Sequence, residues 1–346
     1  MKRYKIKGKI LSPVHIGTGL EIEPFDYVIK EKKFYKISLE GFLTNLTKAE
    51  KNKFNELISQ NNINDIRGFI IENWNPKKYS FEYSCDVTEE VNKIYGNNIA
   101  NIENQLLINP FIRTKVRNFP YIPGSSLKGA IRTAIISELA KKTNYIKNIR
   151  AIEAELLKCQ NMKGRLDAKK DPFRAVKIRD GHLSCNATII SKIVNVSKDR
   201  NGQLKPLRIQ IFNEVTYSYL SANTIEFESE LLIDEKLQKT NFLNLKIDID
   251  LIRKSCNSFY GDKLIDEDKN FYLGTSLEKC SSELHRQKFE DNSFLIRVGR
   301  FSGVKSVTLD NYRKPGVPKG KTWGKTKNIC EMKYPLGWIK LIFKEI

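Results

Sequence analysis

One short segment of the sequence combines the residue types that bind phosphate. Residues 119–132 read FPYIPGSSLKGAIR, in which a proline and a glycine break the chain before two serines. Ser125 or Ser126 can therefore cap a new helix by accepting from its free backbone amides. Lys128 and Arg132 lie four residues apart and share one face of that helix. Free amides, hydroxyls and two cations together favour a bound phosphate group. The alternative is an ordinary capped helix whose cations face solvent.

A second candidate segment is the loop SPVHIGTG at residues 12–19. Gly17 and Gly19 allow backbone to lie close to a ligand. His15 is a candidate general acid or base, and the alternative is a packed histidine with an ordinary structural hydrogen bond.

The composition indicates a polyanionic partner. The chain has 346 residues, with 60 lysines and arginines against 40 aspartates and glutamates, and a net charge of +20. Part of this charge is clustered: five basic residues and no acid lie between Arg113 and Arg132, and nine basic residues and one acid between Arg297 and Lys327. The second cluster also contains Phe301, Tyr312 and Trp323 in its sequence. Cations interleaved with aromatic rings are typical of surfaces that neutralise phosphates and stack bases. The alternative is a flexible basic loop whose aromatic residues are buried.

The six cysteines are far apart and form no C-x-x-C pair. We therefore expect reduced cytosolic thiols, with neither a metal site nor a bound cofactor. We also expect neither a signal peptide nor contact with a membrane, because the N-terminal residues alternate charged with apolar and no apolar run has the length of a membrane span.

Hydrophobic periodicity predicts the elements that position these residues. Strands are predicted at residues 4–10, 26–29, 34–37, 79–85, 112–116, 171–181, 187–196, 207–211, 225–233, 294–298 and 337–343. Helices are predicted at residues 38–46, 48–75, 125–142, 147–162 and 269–283. The polar tip at residues 198–206 is expected to project from a long hairpin.

Four pieces of the sequence resemble the RAMP superfamily of type III CRISPR effectors. They are LSPVHIGTG at residues 11–19, PYIPGSSLKGAIR at 120–132, DPFRAVKIRDG at 171–181 and RVGRFSGVKS at 297–306. Their order, the DYVI at residues 26–29, the long insert before the serine-containing helix and the closing PLGW at residues 335–338 are most similar to one kind of subunit. This is the single-copy subunit of the type III-A (Csm) complex that caps the 3′ end of the guide RNA.

The resemblance implies an α+β fold with a ferredoxin-like (RRM-like) βαββαβ core, elaborated and duplicated. On this basis we expect an N-terminal domain at residues 1–145, with a helical insert at about 42–110, and a C-terminal domain at 146–346. The implied function is to bind the guide RNA (crRNA) without cutting it, to cap its 3′ end and to support its maturation and complex assembly. Neighbouring Csm-complex subunits are the implied partners, and a host nuclease is a further candidate.

The residues expected to contact RNA come from the glycine loops, the serine-containing helix and the basic clusters. They are Gly17, Gly19, Arg113, Lys115, Arg117, Gly124, Ser125, Ser126, Lys128, Arg132, Arg174, Arg179, Arg297, Arg300 and Lys305. In the related repeated backbone subunit, an aspartate in a stretch comparable to that of Asp26 cuts target RNA with a divalent metal. A long insert follows Asp26 here, so we carry no catalytic role to it.

Two other functions remain open from the sequence. A metal-independent crRNA-processing endoribonuclease of the same superfamily would need an acid and a base, with His15 as the evident candidate. A scaffold that recruits a trimming nuclease would use the helical insert and the tip at residues 198–206.

Overall fold

The structure is a computed structural model that describes residues 1–98, 106–143, 151–216, 224–287, 290–307, 309 and 326–346. Its strands are β1 (Lys2–Ile10), β2 (Tyr27–Lys30), β3 (Lys33–Lys36), β4 (Tyr83–Val87), β5 (Ile108–Asn109), β6 (Tyr121–Ile122), β7 (Val176–Ile178), β8 (Gly181–His182), β9 (Thr188–Lys198), β10 (Leu204–Thr216), β11 (Glu226–Ile233), β12 (Ser293–Arg297), β13 (Thr326–Cys330) and β14 (Trp338–Glu345). Its α-helices are α1 (Leu39–Thr44), α2 (Lys48–Ser59), α3 (Ile63–Asn73), α4 (Glu89–Asn98), α5 (Gly124–Lys141), α6 (Ile152–Leu156), α7 (Glu235–Gln238), α8 (Ile249–Glu267), α9 (Glu278–His285) and α10 (Val304–Val307).

A ferredoxin-like core forms the first of two sheets. This seven-stranded sheet has the order β12-β14-β1-β11-β8-β6, with β7 also beside β11. The chain passes through β1, α5, β7 with β8, β11, α8 and β14, and β1 and β11 are antiparallel neighbours at the centre. Helices α5 and α8 pack together, and the Tyr260 hydroxyl donates to the Ala130 carbonyl at 3.0 Å. The predicted α+β class with a ferredoxin-like core is therefore confirmed, with β12 added beside β14.

The alternation predicted for β1 separates a buried face from a charged one. Tyr4, Ile6 and Ile10 are buried in the main hydrophobic core. On the solvent face, lysines of β1 meet glutamates of β11, as in Lys5 with Glu228 at 2.8 Å. This ladder of pairs neutralises the cations on the open face of the core sheet.

Two glycines in this sheet make room for one aromatic ring. Phe227 of β11 lies over Gly8 of β1 and Gly181 of β8, and a Cβ atom at either glycine would come within 2.2 Å of the ring. Phe227 is 2% exposed. The ring therefore fills space that exists because both neighbouring strands lack a side chain there.

The second sheet has seven strands in the order β2-β3-β4-β9-β10-β5, with β13 beside β9. The predicted hairpins β2–β3 and β9–β10 are confirmed. Helix α1 confirms the helix predicted at residues 38–46, and α2 and α3 together occupy the helical region predicted at 48–75. The side chains of Ser38, Thr47 and Asn62 cap these three helices. Both sheets contain strands from each side of residue 145, and the domain boundaries and the duplication stay predictions.

Several sequence-based assignments are wrong in position. The second long helix is α8, and the predicted region 269–283 contains only most of a π-helical turn, Asp268–Tyr272, and the start of α9, which begins at Glu278. Residues 112–116 form an isolated bridge and a turn instead of a strand. The helix predicted at 147–162 is wrong beyond α6, because residues 157–162 form turns and an isolated bridge. Its first residues, 147–150, lie outside the described part, as do Tyr312 and Trp323. Within the described residues, a helix long and apolar enough to cross a membrane is absent.

Candidate nucleic-acid interface

Two glycine-containing loops and the first half of α5 surround a cleft of about 670 Å³. The loop after β1 contributes Gly17 and Gly19, α5 contributes Ser126 and Thr133, and the loop after β12 contributes Arg300. The cleft brings together five of the residues predicted to contact RNA, namely Gly17, Gly19, Ser126, Arg297 and Arg300. These residues are far apart in the sequence, so they come together only through the fold.

The two loops are joined through their backbones. The amide of Arg300 donates to the carbonyl of His15 at 2.8 Å. Gly299 has a φ of +92°, and a Cβ atom there would lie 2.4 Å from the same carbonyl oxygen. Glycine is required at this position because both the conformation and the close approach exclude a side chain. The loops are thus held as one surface.

Arg300 is the predicted RNA-binding cation that the cleft presents to solvent. Its side chain is exposed, and its guanidinium donates to Asn109 Oδ1 at 3.2 Å and lies 5.5 Å from the centre of the Phe301 ring. An exposed guanidinium beside an aromatic ring can pair with a phosphate and stack on a base. Sequence reasoning missed Asn109 and Thr133, because neither residue stands in a recognisable motif.

The beginning of α5 differs from the prediction. Pro123 is the N-cap residue without a side-chain cap, so the assignment of Ser125 or Ser126 as the cap is wrong. The Gly124 amide instead donates to Asp180 Oδ1 at 2.7 Å. A Cβ atom at Gly124 would lie 2.1 Å from the carbonyl oxygen of Ile178, so this glycine permits close packing on the strand. The phosphate interpretation requires the Gly124 amide to be free, but this amide already donates to the carboxylate of Asp180.

The basic pair on α5 has two different environments. Arg132 Nη1 lies 2.9 Å from Asp171 Oδ2, and its guanidinium lies 5.0 Å from the centre of the Phe173 ring. Lys128 is partly buried; burial lowers the pKa of its ammonium, and the charge of Arg132 lowers it further. Arg132 is therefore already paired within the protein. Arg174, which follows Phe173 in the sequence, is exposed and donates to the Lys169 carbonyl.

These environments predict different effects for the two substitutions. Lys128→Ala should weaken RNA binding and reduce the salt dependence of the affinity by the contribution of about one phosphate contact, without changing stability. Arg132→Ala should lower the free energy of unfolding by about 1–2 kcal/mol, because it leaves the partly buried Asp171 without its cation. Filter binding at several salt concentrations and urea unfolding would measure both effects. Equal loss of stability in the two variants would contradict the distinction.

Two further predicted arginines have buried guanidinium groups. Arg113 Nη2 donates to the carboxylate of Glu214 and, at 2.8 Å, to the hydroxyl of Thr188, and the Arg113 side chain is 7% exposed. Arg297 Nη1 donates to Glu267 Oε1 at 2.7 Å, and that arginine side chain is 1% exposed. Both guanidinium groups therefore pair with buried carboxylates and do not face solvent.

Glu267 is the centre of the second of these buried networks. Besides Arg297, it accepts from Lys327 Nζ at the start of β13 and from the hydroxyl of Tyr272. Burial alone would raise the pKa of Glu267, but the charges of Arg297 and Lys327 outweigh it and lower this pKa to about 2. Lys305, in the short helix α10 that follows the loop after β12, pairs with Asp266 at 2.7 Å. The end of α8 thus fixes the base of that loop. Sequence reasoning missed Glu267, because α8 itself was missed.

His15 lies behind the cleft wall. It is 1% exposed, its Nδ1 is 2.7 Å from the carbonyl oxygen of Glu214, and its ring packs beside Phe111 and Phe301. Burial lowers the pKa of the imidazole, so its neutral form is favoured. The interpretation of His15 as a packed, hydrogen-bonded residue is confirmed.

The remaining candidate residues do not line the cleft. Asp26 pairs with Lys36 at 3.4 Å. Lys115 and Arg117 are exposed on the turn before β6, and Arg179 pairs with Glu230 at 3.2 Å. Among the residues that the structure describes, no group of three or more His, Cys, Asp or Glu side chains is arranged to hold a metal ion.

Comparisons with known proteins agree with this fold over nearly the whole chain. The model of the RAMP superfamily matches residues 7–290. A protein of Methanocaldococcus jannaschii, described as "CRISPR system Cms protein Csm5", is 27% identical over 326 residues, which cover 88% of this chain and 72% of that protein. The protein of the same description from Streptococcus thermophilus is 26% identical over 356 residues, covering 98% and 90%.

Two solved structures share the fold. A chain of the Csm–crRNA–target RNA ternary complex of a type III-A CRISPR-Cas system has a TM-score of 0.72 at 19% identity, covering 99% of this chain and 100% of that one. The crystal structure of T. onnurineus Csm5 has a TM-score of 0.67 at 20% identity, covering 96% and 99%. Each match extends almost from end to end of both chains.

Proposed function

Because the chain belongs to the RAMP superfamily, we propose that it is a guide-RNA-binding subunit of a type III-A CRISPR (Csm) interference complex. The observation that carries this proposal is the cleft, in which two loops and α5 present backbone, hydroxyl groups and the exposed cation of Arg300. Such groups suit the sugar–phosphate backbone of RNA and allow any base sequence. The similarity of the whole chain to Csm5 proteins and to a chain of a crRNA-containing Csm complex supports the assignment of the complex.

Within this role, the subunit caps the 3′ end of the crRNA and supports maturation and complex assembly. It does so by binding, without cutting the RNA itself. The buried His15 gives no support to the alternative of a crRNA-processing endoribonuclease, because a general base must reach the proton that it removes. Neighbouring Csm subunits are the proposed protein partners in the cytoplasm, and recruitment of a host nuclease stays a prediction.

The proposal predicts that Arg300→Ala weakens crRNA binding. Loss of one phosphate contact should reduce the slope of log affinity against log salt by about 0.7, with several-fold weaker binding at moderate salt. The matched control is Lys7→Ala, since Lys7 is exposed on the open face of the core sheet and already pairs with Glu226 at 2.6 Å. Binding to end-labelled crRNA, with and without Mg²⁺, would measure affinity and cleavage together. Equal loss in both variants would contradict an interface at the cleft.

The capping role is tested by comparing segments of the same guide. Oligonucleotides from the 3′ and 5′ ends of the crRNA, at equal length, should compete differently with the full guide, and the 3′ segment should bind more tightly. The difference should shrink in Arg300→Ala but persist in Lys7→Ala. Equal competition by both segments would contradict capping while leaving general RNA binding intact.

A further inference from the structure

Two half-exposed aromatic residues lie on adjacent segments outside the cleft. Phe119 ends the turn at residues 114–119 and is 37% exposed, and Phe81, just before β4, is 41% exposed. The side-chain amide of Asn118 donates to the backbone carbonyl of Glu82 at 3.2 Å, so the neighbours of the two phenylalanines are in direct contact. Exposed aromatic residues that gather in one place are typical of a binding surface, because their contact with water is unfavourable.

Hydrogen bonds close the turn that presents Phe119. The Thr114 amide donates to the Phe119 carbonyl at 2.9 Å, and the Phe119 amide donates to Thr114 Oγ1 at 3.1 Å. Arg113, which is itself held by Glu214, donates to the carbonyl of Asn118. The turn is therefore formed before a ligand binds, which reduces the entropy that binding costs.

Two cations lie at the exposed centre of the same turn. Lys115 and Arg117 stand on either side of the exposed Val116, and neither pairs with an acid in the part of the chain that the structure describes. A partner that contacted only the aromatic rings would desolvate these charges without compensation. Cations beside aromatic rings match the phosphates and the bases of a single strand of RNA.

The turn continues the segment that leaves the cleft. Asn109 lines the cleft, and Phe111 forms a bridge with Gly17. The five residue steps from Asn109 to Thr114 span at most about 17 Å at about 3.4 Å each. An RNA strand whose backbone lies in the cleft can therefore place nearby bases on the turn.

We infer that Phe81 and Phe119 form a stacking site for unpaired bases of the bound RNA, with Lys115 and Arg117 neutralising the phosphates beside those bases. This inference rests on the proposed function and adds a second subsite, which takes bases, to the cleft, which takes backbone. Stacking tolerates any sequence, because every base has a π face.

The test uses RNA from which single bases are removed. An abasic nucleotide keeps its sugar and phosphate but has no ring that can stack. A set of crRNA 3′ segments with one abasic nucleotide at successive positions should contain one or two adjacent positions at which the affinity of the wild-type protein falls about tenfold. Exchanging one base for another at those positions should have a smaller effect. Fluorescence anisotropy would give each dissociation constant.

Phe81→Leu and Phe119→Leu remove an aromatic ring but keep an apolar side chain. Leucine preserves apolar packing where the Phe81 ring now lies 5.2 Å from the centre of the Tyr35 ring. Each variant should bind unmodified RNA about tenfold more weakly, and the abasic nucleotide at the corresponding position should cause no further loss. The matched control is Phe242→Leu, because Phe242 is 62% exposed and belongs to a different loop. This control should bind every RNA as the wild type does.

The cations should give a different signature from the rings. Lys115→Ala and Arg117→Ala should each reduce the slope of log affinity against log salt by about 0.7 and leave the abasic effect in place. Phe81→Leu and Phe119→Leu should leave that slope unchanged, since they remove no phosphate contact. A merely structural role of the rings would weaken binding of abasic and unmodified RNA by the same factor.

Equal affinity of the wild type for every abasic RNA would overturn the inference and leave RNA binding at the cleft intact. An abasic effect that persisted undiminished in both leucine variants would overturn it as well. Normal RNA binding by these variants, with weaker association with other Csm subunits, would also overturn it, in favour of a protein partner at the rings. Failure of the wild type to bind unmodified crRNA would instead contradict the proposed function, and the inference with it.

Discussion

Replacing Glu267 by alanine is expected to lower the free energy of unfolding by about 3–5 kcal/mol. The substitution leaves Arg297 and Lys327, which both pair with this carboxylate in the interior, without a counter-charge. Urea unfolding followed by circular dichroism would measure the effect. The matched control is Asp266→Ala, one residue earlier, because Asp266 is 39% exposed and its pair with Lys305 lies nearer the surface. Equal effects of the two substitutions would contradict the buried network.

The contribution of Glu267 should depend on pH in a defined direction. Its pKa falls from an ordinary 4.5 to about 2 on folding, so the unfolded chain binds this proton more readily. The stability from this group is therefore fully present above pH 4.5 and is lost as the pH falls towards 2. Glu267→Gln should remove that part of the acid sensitivity. If wild type and Glu267→Gln lost stability in parallel over this interval, the ionised carboxylate would not be the stabilising form.

Arg113→Ala is expected to be similarly destabilising, by about 3–5 kcal/mol. Glu214 is fully buried, and Arg113 is the cation that pairs with it. The matched control is Lys115→Ala, which removes an exposed cation two residues away and should leave stability unchanged while weakening RNA binding. The double substitution Arg113→Met with Glu214→Leu should recover much of the loss, because it removes both buried charges together.

The opposite pattern of results for Arg113→Ala would support a direct role of Arg113 in RNA binding. If Arg113→Ala weakened crRNA binding and left the unfolding midpoint in place, the sequence-based assignment would be right and the buried pair unimportant. Both measurements therefore need to be made on the same protein preparation, since a partly unfolded variant would also bind RNA poorly.

Local patterns predicted much of the fold. β1 and β11 were found because each alternates apolar and charged residues, and this alternation matches one buried and one solvated face. α8 was missed because it buries polar residues, including Ser255, Lys263 and Glu267, so its apolar stripe is broken. A helix stabilised by buried polar contacts has a weak hydrophobic period.

Local sequence patterns likewise predicted only a part of the candidate site. The glycine loops were recognised from their composition, and the fold brings them together at the cleft. Counting charges along the sequence could not show that Arg113, Arg132 and Arg297 pair with Glu214, Asp171 and Glu267, which lie 30 or more residues away from them. The predicted N-cap failed similarly, because Asp180 from a neighbouring segment supplied the partner.

Because the Phe227 ring packs on Gly8 and Gly181, the residue that each of these three positions tolerates depends on the residues at the other two. The three positions lie on three neighbouring strands. A larger residue at either glycine collides with the ring, and a smaller residue at 227 leaves a void in the core. Each single substitution is therefore harmful alone, whereas a small residue at 227 together with alanine at a glycine restores the packing. Homologues that differ at one of these sites should differ at its partner as well, so the three positions vary as a unit.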